Sequence, residues 1–293
     1  PCWSRVPTYP TSRYTLGHLD NATQKFTQTT APAPLDASDL LIYTQMHSDD
    51  NRLLFVGWWN VGLSCLTAPR EITYDEDLQR LHALPVAELA QLRGESLGEH
   101  THSTSIKPGE AGAVALFENG KGSTSFDLEL DVALSSSTGS ISTEFELALL
   151  ASSTRNAEVV AKIVVGAVST SAVASAGVRQ INVTTGVPGA TSRRQPGYNS
   201  SLSFPIPAAE SVLTLRVLAD RTLVELFVAN GRGVVTTPVL APGKDSSRTG
   251  VFLSVPTTGN EAGGTDAPKV SLQSSRAWEM GCGWSPGGYP GPV

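Results

Sequence analysis

Acid–base chemistry needs two carboxyl groups within reach of one bond, and the sequence offers two places to look. Asp220 and Glu225 flank a short turn in the run LTLRVLADRTLVELFVANGRGVVTTPV, residues 213–239. Their odd separation points them to opposite faces of a strand, and five extended residues span ~17 Å. The turn shortens that distance without aligning the side chains, so Asp220 reads as turn-stabilising and Glu225 as structural. Asp127, Glu129 and Asp131 share one face at ~6.6 Å intervals. They alternate with Phe126, Leu128, Leu130 and Val132, the pattern of a strand with one solvated face. His100 and His102 could chelate a metal as a same-face pair, but no carboxylate or third histidine stands near them. Cys2, Cys65 and Cys282 fit no zinc or redox spacing, and an odd number leaves at least one unpaired within the chain. No Gly-rich phosphate loop occurs. The sequence therefore predicts no metal and no cofactor.

The elements that must carry these residues are short and extended. Within 213–239, apolar positions alternate through Leu213, Leu215 and Val217 and resume from Leu223 to Val228. Asn230-Gly231 supplies two residues that tolerate positive φ, as a type I′ hairpin requires. The run is a β-meander. Strands are also expected over Tyr14–Leu19, Leu40–Met46, Leu53–Trp59, Phe126–Val132 and Glu144–Leu149, with a hairpin turn at Asp49-Asp50-Asn51. The nearly continuous β-branched run Val159–Val168 suits a strand buried on both faces. Ala31–Pro34 reads as a stiff linker, and residues 135–142 and 184–203 as Ser/Gly/Pro-rich loops. Only Asp75–Arg93 approaches helical spacing, through Leu78, Leu81, Leu84, Leu89 and Leu92, split by Pro85.

Composition narrows the class. Charged residues are 16% of the chain, and the difference from the ~25% of ordinary domains is made up by Ser, Thr, Ala and Gly. A net charge of -6 with no Lys/Arg cluster argues against a nucleic-acid partner. No apolar run approaches the ~18 residues of a membrane-spanning helix, so no membrane partner is expected. The chain opens Pro1-Cys2-Trp3 without Met or signal peptide, and reads as a fragment or processed product. Asn21, Asn182 and Asn199 head N-x-S/T sequons, compatible with a secreted or vacuolar, lumenal protein.

The meander pattern L-R-V-L-x-D-x-x-x-V-E-x-F, followed by a Gly-containing turn and V-x-T-x-x-V, resembles the C-terminal β-sandwich of glycoside hydrolase family 32. The closing VSLQSSRAWEM (270–280) resembles that family's last strand, and RLLFVGWWN followed by APREI (52–72) resembles its G-W-x-N strand and later P-R turn. The family comprises invertases, inulinases and fructosyltransferases. The resemblance implies an all-β fold: the last blades of a five-bladed β-propeller over 1–74, a partly helical linker over 75–101, an antiparallel β-sandwich over 102–280, and a flexible tail over 281–293.

What the resemblance implies for function is a portion without its catalytic centre. The family's nucleophile motif W-M-N-D-P-N-G, its R-D-P and its E-C are all missing from this sequence, so no catalytic residue is assigned and the three carboxylates are expected upstream of residue 1. Trp58 matches the tryptophan that lines the fructose pocket, where an indole face covers the sugar's C–H patch. Asp36 or Asp39, before Tyr43, matches a sugar-binding Asp, and spacing does not choose between them. The expected partners are β-fructoside sugars, bound by the complete enzyme, and a second copy through the sandwich. The competing readings are a non-catalytic carbohydrate-binding or structural β-sandwich module, and a pseudo-enzyme remnant.

Overall fold

The computed structural model describes residues 2–6, 13–37, 42–61, 63–109, 112–117, 124–134, 142–154, 157–168, 177–186, 200–220, 222–239, 249–257 and 270–281. These residues form four antiparallel sheets. The first pairs β1 (Cys2–Val6), β2 (Arg13–Asp20) and β3 (Lys25–Gln28), with β4 (Ala33–Pro34) on the far side of β2. The second runs β5 (Ile42–His47), β6 (Leu53–Val61), β8 (Arg70–Asp75), β9 (Arg80–Pro85), with β7 (Leu63–Leu66) folded back on β6. Asn51 turns the β5–β6 hairpin with φ 64, a conformation that Asn adopts more readily than most residues.

The two larger sheets form a sandwich. The inner sheet has the order β10 (Arg93–His100), β22 (Val270–Met280), β13 (Ser125–Leu134), β18 (Val212–Asp220), β19 (Leu223–Val228), β20 (Gly233–Pro238), with β11 (Thr104–Ile106) also on β22. The outer sheet has the order β12 (Val114–Phe117), β21 (Gly250–Ser254), β14 (Thr143–Ala151), β15 (Ala157–Val168), β16 (Val178–Gly186), β17 (Ser200–Pro207). Strand alternation makes the core. Phe126, Leu128, Leu130 and Val132 of β13, with Leu213, Leu215 and Val217 of β18, face Phe145, Leu147, Ile163, Val183 and Phe204 of the outer sheet in one buried cluster. Complete burial of each large apolar side chain contributes roughly 1.5–3 kcal/mol.

The expected meander is present as β18, β19 and β20. Ala229, Asn230 and Gly231 all have positive φ, one residue more than the sequence pattern implies. Four expectations fail. Residues 75–86 complete the β8–β9 hairpin, and the helical part of the region is one short 3-10 helix, Ala87–Leu92, before β10. Leu81 and Ala83 alternate inward with period 2, and the i, i+3 leucine spacing that imitates a helix is incidental. Strand β15 alternates buried with half-buried residues, so it is covered on one face. Buried at every position instead are β19 and β20, which lie between the sandwich core and the small sheets. Thr184–Gly186 and Ser200–Ser203 are strand, not loop. Finally, the face carrying Asp127, Glu129 and Asp131 is only partly solvated: Asp127 is buried, Asp131 half-buried, and Glu129 keeps an exposed side chain.

Candidate functional site

The second face of the inner sheet is where it meets the two small sheets. Leu218, Phe227 and Val234 project from it into a cluster with Tyr14, Leu16 and Leu35 of the first small sheet and its continuation, and with Phe55, Ile72, Leu81 and Ala83 of the second. At the centre of this apolar junction is Arg70, 1% exposed. It shares a face of β8 with Ile72, and its guanidinium lies over the Phe227 ring at 5.2 Å. Its Nη1 donates to Asp36 Oδ2 at 2.7 Å, its Nη2 to Glu225 Oε2 at 2.6 Å, and its Nε to the same oxygen at 3.1 Å. Thr236 receives a further Nη2 bond at 2.8 Å and donates from Oγ1 and backbone N–H to the two oxygens of Asp36 at 2.5 and 3.1 Å. Glu225 Oε1 accepts the Ala68 N–H at 2.7 Å. Two carboxylates thus share one guanidinium. Burial pushes the Glu225 carboxyl above the ordinary range, against the downward pull of Arg70 and the Ala68 N–H.

Immediately beside this network lies Thr67, also buried. Its Oγ1 accepts the Gly57 N–H at 2.8 Å, and its own N–H donates to the Gly57 carbonyl at 2.9 Å. Next along β6 is Trp58, half-buried, opposite Ile42 on one side and Leu66 on the other. A cleft of about 580 Å³ opens between β7, the 3-10 helix and the inner sheet, lined by Cys65, Leu66, Thr67, Leu89, Leu92, Leu218, Glu225 and Met280, among others. Burial, with Glu225 nearby, pushes the Cys65 thiol up.

A second cavity of about 550 Å³ sits at the other end of the junction, between the same sheet face and Leu84 of β9. Its wall is a row of acids on β13, Glu129 and Asp131, flanked by Thr214 and Arg216 of β18 and by Ser274 and Arg276 of β22. Asp131 accepts from Thr214 at 2.9 Å and Ser274 at 3.0 Å. In the same row Asp127 is fully buried. Arg216 reaches it through Nε and Nη2 at 2.9 and 2.8 Å, and Arg93 Nε at 2.7 Å. Arg93 also bonds Glu129 and stacks 3.8 Å from the Trp278 ring. Alternation correctly placed the three acids on one face. It could not show that arginines from neighbouring strands close over that face.

A family model described as "Glycosyl hydrolases family 32 C terminal" matches residues 88–278. The chain belongs to glycosyl hydrolase family 32. Solved structures agree on the fold. Fructan 1-exohydrolase IIa from Cichorium intybus superposes with TM-score 0.73 at 15% identity, over 95% of this chain and 56% of that one. Exo-inulinase from Aspergillus awamori gives 0.62 at 15%, over 94% and 50%. Sucrose-6-phosphate hydrolase from Lactobacillus gasseri gives 0.60 at 17%, over 92% and 48%. This family 32 chain therefore spans about half the length of the enzymes it superposes on. No curated protein sequence matches it.

The residues singled out from the sequence are dispersed by the fold. Asp36 is sealed in the junction with both oxygens engaged by Arg70 and Thr236. Tyr43 stands on β5 opposite Gly57, one register step from the Ile42–Trp58 pair. Asp39 and Asn199 lie outside the described residues. Asn21 is exposed in the β2–β3 turn, and Asn182 on the solvent face of β16. Asp220 is exposed and accepts from Ser125 Oγ at 3.1 Å. His100 Nε2 lies 3.0 Å from the Ala115 carbonyl, and no group of three metal-ligating side chains occurs among the described residues. Sequence reasoning gave no role to Arg70, Thr67 or Thr236. The available signal was an arginine on the apolar face of β8, in step with Ile72.

Proposed function

We propose that this family 32 chain is the C-terminal portion of a β-fructofuranosidase-like hydrolase acting on sucrose or fructans. In this reading the two small sheets are the last blades of a β-propeller. The catalytic carboxylates belong to a part of the enzyme outside this chain, where a nucleophile and an acid/base about 5–5.5 Å apart carry out retaining cleavage. The chain's own contribution is to hold one wall of the sugar pocket, Trp58, on a rigid base. The observation that carries this reading is the sealed Arg70 junction. Buried charges shared between β8, the segment after β4, and strands β19 and β20 make the Trp58-bearing sheet and the sandwich one mechanical piece.

The acids on the wall of the second cavity are engaged by partners: Glu129 bonds Arg93, and Asp131 beside it accepts from Thr214 and Ser274. The close acid pair, Asp36 and Glu225, is saturated by Arg70, Thr236 and Ala68, leaving neither acid free to attack a sugar or protonate a leaving group. The test is reducing-sugar release from sucrose and inulin. The purified chain is expected to release none, and its fusion behind a family 32 segment carrying the nucleophile, R-D-P and E-C motifs is expected to gain activity that Trp58→Ala reduces. Cleavage by the unfused chain would overturn the proposal.

A further inference from the structure

We infer that Glu225 and Thr67 are positioning residues for Trp58, so that the sandwich sets the orientation of the sugar-facing wall from behind; this rests on the reading of Trp58 given above. Residues 67–69 lie between β7 and β8 and pair with no strand of their own. Pro69 has no N–H to give and its carbonyl accepts the Val86 N–H at 3.0 Å; the anchors toward the sandwich are the Ala68 N–H and the Arg70 side chain, and Glu225 of β19 takes both, at 2.7 and 2.6 Å. From this anchored segment Thr67 reaches across to β6. It accepts the Gly57 N–H at 2.8 Å and donates to the Gly57 carbonyl at 2.9 Å, fixing the peptides on both sides of Gly57, the second of which leads into Trp58. Leu66, one residue earlier, is the cross-strand neighbour of Trp58.

The path is therefore short and continuous: Glu225 carboxylate, Ala68 amide, Thr67 hydroxyl, Gly57 peptide, Trp58. The Gly57–Thr67 bond is buried and the Ala68–Glu225 bond partly buried, which limits screening by bulk water along the path. Glu225 and Thr67 also line the cleft of about 580 Å³, with Cys65 and Leu66 of β7. A ligand or contact altering that cleft would act on Trp58 through the same path. Sheet pairing alone would hold the backbone of β6. What Thr67 adds is a side-chain acceptor for the peptide before Gly57 beside the backbone donor to the peptide after it, and what Glu225 adds is an anchor from a different sheet.

The test uses the 293-residue chain labelled with 5-fluorotryptophan, whose five tryptophans give separate fluorine resonances; Trp58→Phe assigns the one that matters. Thr67→Val removes the acceptor for Gly57 while keeping a branched side chain. It is expected to shift or broaden the Trp58 resonance and to leave Trp278, stacked on Arg93 within the sandwich, in place. Thr67→Ser should restore the wild-type position. Glu225→Gln is expected to move the same resonance, and if it fails to unfold cooperatively in urea, the Thr67 variants decide alone. A Trp58 resonance unmoved in folded Thr67→Val overturns the inference. Titration of the family 32 fusion described above with fructose and 1-kestose, its Trp58 signal assigned by the same Trp58→Phe change, tests the separate matter of sugar contact. A Trp58 signal that responds to Thr67→Val but not to sugar would sink the sugar reading and keep the positioning path.

Discussion

Single side chains at the junction carry charge in places where water cannot reach, and this makes their removal costly. Asp127→Asn takes away an oxygen acceptor that serves Arg93 and Arg216 and replaces it with a donor facing two cations. A loss of roughly 2–4 kcal/mol is expected, read as a lower urea midpoint with an unchanged slope. His82 is the site of a pH effect. Its Nε2 lies 3.0 Å from Asp75 Oδ2, which also pairs with Arg232 at 3.3 Å, and Arg232 in turn holds Glu210 at 2.6 Å. Burial, then Arg232, keeps the imidazole below its ordinary range despite Asp75. For Asp75, burial pushes upward, but the Leu78 N–H, Arg232 and His82 outweigh it, so its ion pair outlasts the histidine's titration. Because the unfolded chain binds the histidine proton more readily, the stabilisation is fully present above about pH 6.5 and is lost as pH falls toward the folded value. Stability measured between roughly pH 5 and 8 should decline on the acid side, and His82→Gln should flatten that decline. None of these partnerships was legible in the sequence. Arg70 meets Asp36 across 34 positions and Glu225 across 155, and no periodicity spans such distances.

At the scale of elements, the β19–β20 turn is the informative one. Gly231 has φ +77, and a Cβ there would sit 2.5 Å from the Ala83 carbonyl of β9, whose N–H bonds the Gly231 oxygen at 2.9 Å. The turn is therefore built to fit both its own hairpin and a strand of another sheet. Gly231→Ala is expected to cost roughly 1–3 kcal/mol from the backbone conformation alone and to open the Ala83 contact, seen as faster amide exchange at Ala83. The hairpin itself could be read from Asn-Gly between alternating runs, because turn chemistry and strand period are local. The β8–β9 hairpin was misread as helix for an equally local reason: leucines three apart satisfy a helical template, while the inward-facing positions between them are filled by alanine and proline. Strand β19 read in sequence only as the middle run of the meander, with Glu225 as a structural residue. Its polar inward residue, Glu225, becomes intelligible only with Arg70 opposite.

For the whole molecule, the shared apolar cluster and the Arg70 network predict that the small sheets and the sandwich unfold together. Calorimetry of the wild-type chain should give one transition. Arg70→Met leaves Asp36 and Glu225 without their common cation, at a cost of roughly 3–5 kcal/mol, and should split the transition in two, the first belonging to the small sheets. A single, merely lowered peak would mean that the apolar contacts suffice to couple them. The sandwich was visible in advance because enough of its strands, β13, β14 and β18 above all, advertise a period of two, even though β15 read as two-faced and the ends of β16 and β17 read as loop. Its junction with the small sheets was not, because contact between sheets has no period. The order of strands in the inner sheet has one more consequence. β22, the C-terminal-most described strand, lies between β10 and β13, pairing residue 280 with residue 93. On the ribosome the earlier strands must wait with raw edges exposed until Val270–Met280 emerges to zip them shut. A translation stop shortly before that point should therefore send the product to chaperones and proteases rather than leave a trimmed but usable domain.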